Sequence, residues 1–200
     1  MERVRTIRST CNCYAYNSIL IDAGAEVGAA IKTQNPRLKT LVLTHEHCDH
    51  FAGMDEVDCD SIAASKFCAD VVNGKKDEYG LCSHLSLGYP KRKVDRVLKD
   101  GDNIEGDGCN LKVIETPGHA KGAICLFDED AKILFSGDTV FPDNDMPRTD
   151  LKSSEPQMLK DSYEKLASLD IESIYPGHGK EIMEKNYIRK IMKSLDGTDE

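Results

Sequence analysis

No segment of this 200-residue chain approaches the uninterrupted apolar length that a membrane span requires. The N-terminal Met1-Glu2-Arg3-Val4-Arg5 is charged and lacks the apolar stretch of a secretory signal. A soluble, cytoplasmic protein is the expectation. Basic charge is also scarce: the formal net charge is -9, with the acidic residues spread along the chain. A nucleic-acid binder offsets phosphate repulsion with a basic footprint. Only Lys91-Arg92-Lys93 resembles one, and it reads as a solvated turn. Neither a nucleic-acid nor a membrane partner is therefore expected, which leaves a small-molecule substrate. The eight cysteines include no C-x-x-C pair, so neither a zinc ribbon nor a thioredoxin-type centre is indicated. Without an export signal, free buried thiols are the default, and Cys11 and Cys13 read as strand residues. There is no internal repeat, no low-complexity segment and no G-x-S-x-G elbow for a serine nucleophile.

What is present reads as one domain over 1–200, long enough to build its own core. Strands are expected at Asn12 to Tyr16, Ser18 to Ile21, Leu38 to Leu43, Ser61 to Ala64, Val94 to Leu98, Leu111 to Ile114 and Ile171 to Tyr175. Gly122 to Phe127 and Lys132 to Phe135 read as a hairpin around Asp128-Glu129-Asp130. A short helix with Val27, Ala30 and Ile31 on one face should end at Asn35-Pro36. Ser65 is a candidate N-cap for a helix to Val72. Ser154-Glu155-Pro156-Gln157 reads as a capping box before the core-facing stripe Leu159, Tyr163, Leu166 and Leu169. An amphipathic helix from Glu181 to Leu195 closes the chain. From Asn73 to Arg92 the pattern dissolves, which predicts a surface loop, a lid or a dimer contact. Strands punctuated by helices suggest two sheets with helices outside.

The chemistry is concentrated in Thr44-His45-Glu46-His47-Cys48-Asp49-His50, directly after the apolar run Leu41-Val42-Leu43. Three imidazoles and a carboxylate so close together are economical only around one or two divalent metal ions. Three further segments repeat the layout of a strand, a sharp turn and a candidate ligand. They are Thr116-Pro117-Gly118-His119, Ser136-Gly137-Asp138-Thr139 and Tyr175-Pro176-Gly177-His178-Gly179. That layout brings polar groups from distant segments to one rim of a rigid scaffold. His84 lacks such a setting and reads as a solvent-facing loop residue.

With Asp22 after a strand, His45-x-His47-x-Asp49-His50, His119, Asp138 and His178, the chain resembles, motif by motif, the metallo-β-lactamase superfamily. The resemblance runs from Asn12 to Gly179 and implies an αββα four-layer sandwich with metals at one edge of two sheets. Carried over by position, it implies one metal on His45, His47 and His119, a second on Asp49, His50 and His178, and Asp138 bridging both. Strand periodicity does not make that division, because 45, 47 and 49 would point the same way in an extended chain. Asp138 stands where true lactamases of the fold carry Cys or lack the bridging carboxylate, so β-lactam hydrolysis is not expected. Glu, where flavodiiron reductases carry it, is replaced by His47. The chain looks most like the glyoxalase II branch, without the C-terminal region that supplies cationic glutathione contacts. Arg148-Thr149-Asp150-Leu151 also echoes small members of that branch.

The resemblance implies a hydrolase in which a hydroxide held between two divalent ions, zinc first and iron or manganese as alternatives, cleaves a small ester or thioester. Asp49 is the candidate proton acceptor, and Asp22 orients ligands by hydrogen bonds. Lys121 and Arg148, beside ligand segments, are candidate contacts for an anionic substrate group. Cys48 is read as a packed thiol open to oxidation. Alternatives are a mononuclear iron persulfide dioxygenase using His45, His119 and Asp138, a phosphodiesterase or lactonase of the same fold, and a non-catalytic metal-binding protein. A monomer or a homodimer fits equally.

Overall fold

The computed structural model describes residues 4–34 and 37–195. The chain opens with β1 (Val4–Arg8), β2 (Asn12–Tyr16), β3 (Ile19–Ile21), α1 (Val27–Gln34), β4 (Thr40–Leu43), β5 (Ser61–Ser65), α2 (Lys66–Val72), α3 (Cys82–Leu85) and β6 (Arg96–Leu98). It continues with β7 (Asn103–Gly106), β8 (Cys109–Glu115), β9 (Ile124–Asp128), β10 (Ile133–Gly137), α4 (Leu159–Ala167), β11 (Ser173–Pro176) and α5 (Tyr187–Leu195). Strands β1 to β6 form one sheet in sequence order, and a second sheet runs β11-β10-β9-β8-β7.

Side-chain alternation along the strands generates four layers. In β4, Leu41 and Leu43 join α1 and α2 residues such as Val27, Ile31 and Val72 on the outer face, while Val42 enters the space between the sheets. Tyr14 and Tyr16 of β2 likewise face inward, against Leu126 and Phe135 of the second sheet, with Cys13 and Ala15 facing outward. On the far side, Cys125, Phe127 and Leu134 pack beneath Tyr163 and Leu166 of α4 and Ile188 and Ile191 of α5. The architecture is the expected α/β/β/α sandwich.

Strand direction places the site. β3, β4 and β5 run parallel. β8 and β10 are each antiparallel to β9, and β10 is parallel to β11, so β8, β10 and β11 share one direction. The segments after β3, β4, β8, β10 and β11 carry Asp22, the His45–His50 cluster, His119, Asp138 and His178. Asn12 fastens the last of these loops: its backbone N–H donates to the Gly177 carbonyl at 2.7 Å and its side-chain amide to Pro176 and Gly179 at 3.0 and 2.9 Å.

Several expectations are corrected. Strands β1 and β7 were not expected. The region 73–92 is not structureless, for it contains a turn of 3-10 helix at Asp77–Tyr79 and the short helix α3. The capping box does not form: the Ser154 hydroxyl donates to the His119 carbonyl at 2.7 Å, and Pro156–Met158 leads into α4 as a 3-10 turn. The closing helix begins at Tyr187, because Ile182 bridges backbone to backbone with Ile174. The Asn35-Pro36 stop lies outside the described residues. Ser65 does cap α2, its hydroxyl accepting from the Cys68 N–H. Among the described residues, no helix is long and apolar enough to cross a membrane.

Candidate metal centre

The chain bends over 44–46 after β4, and a 3-10 turn over Cys48–His50 then divides the cluster in two. His45 Nε2 lies 3.1 Å from His47 Nδ1, and His119 Nε2 lies 3.0 Å from the same atom. Four ligands about 2.1 Å from a tetrahedral zinc stand roughly 3.4 Å apart, so these three nitrogens approach the spacing of one coordination shell. In the second group, His178 Nε2 lies 3.2 Å from both His50 Nε2 and Asp49 Oδ2. Asp138 sits between the groups, with Oδ2 3.5 Å from His119 Nε2 and Oδ1 3.3 Å from His50 Nε2. Gly177 permits this approach, since a Cβ there would lie 2.2 Å from Asp138 Oδ1.

Hydrogen bonds behind the rings decide which nitrogens face inward. His119 Nδ1 lies 2.8 Å from the Arg148 carbonyl, which can only accept, so Nδ1 carries the proton and Nε2 a lone pair. His50 Nδ1 donates to Asp22 Oδ2 at 2.8 Å, which leaves Nε2 as the nitrogen facing the centre. The Thr44 hydroxyl gives its proton to Asp22 Oδ2 at 2.8 Å, so it accepts from His45 Nδ1 at 3.1 Å. Asp22 also receives the Thr44 backbone N–H at 2.7 Å and thereby orients two ligand residues at once. Asp138 Oδ1 is buried without a hydrogen-bond partner among the described residues, 3.3 Å from His50 Nε2. Imidazole nitrogens and carboxylates converging out of water fit a positive ion.

Electrostatics separate the two groups. Burial holds His45 and His119 below the ordinary imidazole pKa and pulls His47 down to about 3, so all three are neutral at pH 7. His50 behaves oppositely: burial opposes its charge, yet Asp138 and Asp22 hold its pKa above the usual value. The hydrogen bond to Asp49 raises His178. Burial opposes ionisation of Asp138, but the surrounding histidines hold it well below the usual carboxylate range. Asp49 is lowered in the same way by His178 and His50 against burial.

Other residues singled out in the sequence take different roles. Glu46 turns away from the cluster and accepts the Gly122 N–H at 3.1 Å; burial raises its pKa to about 7. Cys11 approaches Asp22 and His50, but burial keeps its thiol protonated and so a poor ligand. Lys121 pairs with Glu155 at 2.8 Å, and Arg148 forks Asp150 at 3.0 Å through two nitrogens, all on the surface. His84 is exposed. Cys48 is not a free thiol: it forms a disulfide with Cys82 of α3, while Cys11, Cys13, Cys59, Cys68, Cys109 and Cys125 are free. The sequence separation of 34 gave no sign of this pairing. A left-handed turn at Leu81 starts α3, and Gly80 accepts the Cys48 N–H at 2.8 Å, which brings the two cysteines together. Ser153 was also missed; its hydroxyl lies 2.9 Å from His47 Nε2, and no motif marks it.

The sequence profile of the Metallo-beta-lactamase superfamily matches residues 7–178. A hydroxyacylglutathione hydrolase of Brucella anthropi is 30% identical over 161 residues, covering 79% of this chain and 55% of that protein. The chain thus spans a little over half the length of this relative, as it does of the beta-lactamase-like protein 2 homologue of Caenorhabditis elegans (58%). The crystal structure of the BLEG-1 B3 metallo-beta-lactamase superposes with a TM-score of 0.80 at 23% identity, over 96% of both chains. That of TTHA1623 in a di-iron-bound form gives 0.74 at 26% identity, over 90% of this chain and 93% of that one.

Proposed function

The chain belongs to the metallo-beta-lactamase superfamily, and from that premise we propose that it is a dinuclear metallohydrolase acting on small thioesters or esters. One observation carries the two-metal reading: Asp138, with an unpartnered buried oxygen, stands between His45-His47-His119 and Asp49-His50-His178. The donor set of imidazoles and carboxylates suits zinc, and the di-iron form of TTHA1623 supports iron as the alternative. When bound, such ions supply a hydroxide nucleophile near neutral pH and polarise the substrate carbonyl. Asp49, partly exposed and ionised beside His178, would be placed to accept the proton released there. Asp22 and Thr44 hold His45 and His50 in the tautomers that leave Nε2 free. Thioester chemistry is favoured by the likeness to the hydroxyacylglutathione hydrolase. Lys121, two residues after His119, and Arg148, whose carbonyl accepts from His119, are the candidate cations, and each would leave its carboxylate partner to meet an anionic group on substrate.

Metal analysis of the purified protein, with hydrolysis assays on matched thioesters, lactones and phosphodiesters, tests the reading. Two divalent ions per chain and thioester turnover that disappears in His47→Ala are expected. Full hydrolysis by that variant, or turnover of persulfide with oxygen uptake and one iron per chain, would overturn it.

A further inference from the structure

We propose that Ser153 is a positioning residue of the first metal group: its hydroxyl takes the Nε2–H of His47 and so commits the Nδ1 lone pair of that ring to the ion. The inference rests on the metal-ligand reading of His45, His47 and His119.

His47 is reversed relative to its neighbours. His45 and His119 point Nε2 inward and have Nδ1 tied behind them, whereas the inward atom of His47 is Nδ1. Its outward nitrogen therefore lies beyond the reach of the Asp22–Thr44 pair, and the partner comes instead from Ser153, 106 residues away. Ser153 is 3% exposed, so water does not substitute for it.

The segment that carries Ser153 forms a strap across the first group. The Arg148 carbonyl accepts from His119 Nδ1, the Ser154 hydroxyl donates to the His119 carbonyl, and the Glu155 N–H donates to Gly118 at 2.8 Å. The adjoining Lys152 lays its ammonium over the Tyr79 ring, 4.8 Å from the centroid, which ties the strap to the 77–79 turn. One segment thus controls the outward nitrogens of two ligands, His47 and His119.

A carbonyl or carboxylate enforces one tautomer, but a hydroxyl can donate or accept. Without an ion, Ser153 satisfies either tautomer of His47, and the fold gains nothing from the choice. With an ion on Nδ1, Nε2 carries the proton and Ser153 must accept it. Its hydrogen bond supports the metal-free fold with either tautomer, whereas the commitment of Nδ1 to the ion appears in metal affinity.

Cobalt(II) titration against a competing chelator, followed by d–d absorption, tests this on wild type, Ser153→Ala and Ser153→Thr, alongside melting of the metal-free forms. Ser153→Ala should weaken the first cobalt equivalent by about 10- to 100-fold, the size of effect such ligand-orienting partners have. Ser153→Thr should restore it, and metal-free Ser153→Ala should melt only about 2 to 4 °C below wild type, the size of one lost hydrogen bond. Wild-type affinity for the first equivalent in Ser153→Ala overturns the inference while leaving the metal reading intact. So does an equal weakening of both equivalents. A wild-type chain that takes up no cobalt overturns the metal reading itself, and the inference with it.

Discussion

His47 Nδ1 and His119 Nε2 stand 3.0 Å apart across 72 residues of sequence, and the Arg148 carbonyl has left the His119 atom without a proton. Burial holds both rings neutral, so the pair offers electron density to an ion at no protonation cost. Replacing either ring by alanine should remove one metal equivalent. It should also lower hydrolysis by at least about 100-fold, since metal-derived charge stabilisation is worth several kcal/mol. Metal content per chain and steady-state rates on the same preparation check both halves of the prediction.

Asp22 contacts no inward nitrogen, yet it takes three hydrogen bonds, from the Thr44 N–H, the Thr44 hydroxyl and His50 Nδ1. Asp22→Asn introduces an amide that cannot accept all three. Metal affinity should fall by about 10- to 100-fold. His50 loses the acceptor behind its Nδ1, whereas His45 keeps Thr44, so the second group should suffer more; calorimetric titration with zinc separates the two steps.

The disulfide between Cys48 and Cys82 joins the turn that carries the candidate ligands Asp49 and His50 to the 73–92 segment. Of eight cysteines, two are bridged, so six thiols should react in denaturant without reductant and eight after reduction. Cys82→Ser should destabilise the fold by about 3 kcal/mol, through the added freedom of the unfolded chain. Chemical denaturation and a thiol count read this directly, and eight thiols before reduction would contradict the bridge.

Metal uptake should depend on pH differently in the two groups. His45, His47 and His119, with lowered pKa values, release no protons when an ion binds near neutrality. His50 and His178, with raised values, hold protons that an ion must displace, so affinity of the second group should fall as pH drops through neutrality. The metal-free fold follows the complementary rule. The raised pair stabilise it fully below the unfolded histidine pKa of about 6.5, and that contribution is lost as pH rises through their folded values. The lowered trio destabilise it as pH falls below about 6.5, where the unfolded chain takes up protons first. Zinc affinity and metal-free melting measured across this range would show both trends.

Much of this was legible in residue order. The apolar run before His45, the turns before His119 and His178 and the glycine before Asp138 place candidate ligands at strand ends. Ser65 capped its helix as its position implied. The missed elements share a cause. β1 has a charged edge, with Arg5 and Arg8 exposed, so its pattern does not stand out, and β7 is a four-residue strand with one buried side chain. Ser154-Glu155-Pro156-Gln157 has the letters of a capping box, but tertiary contact with the His119 carbonyl claimed the serine hydroxyl.

The His45–His50 cluster and its strand-end partners thus determined that this chain carries metal-binding chemistry on a two-sheet scaffold, because residue type and strand periodicity are local properties. Only the tertiary structure decided which nitrogen of each ring faces the centre, that Asp138 lies between the groups, that Ser153 stands behind His47 and that Cys48 is bonded to Cys82. Those features depend on hydrogen bonds and contacts between segments tens of residues apart, and the spacing of residues along a chain does not encode the direction in which a buried donor points.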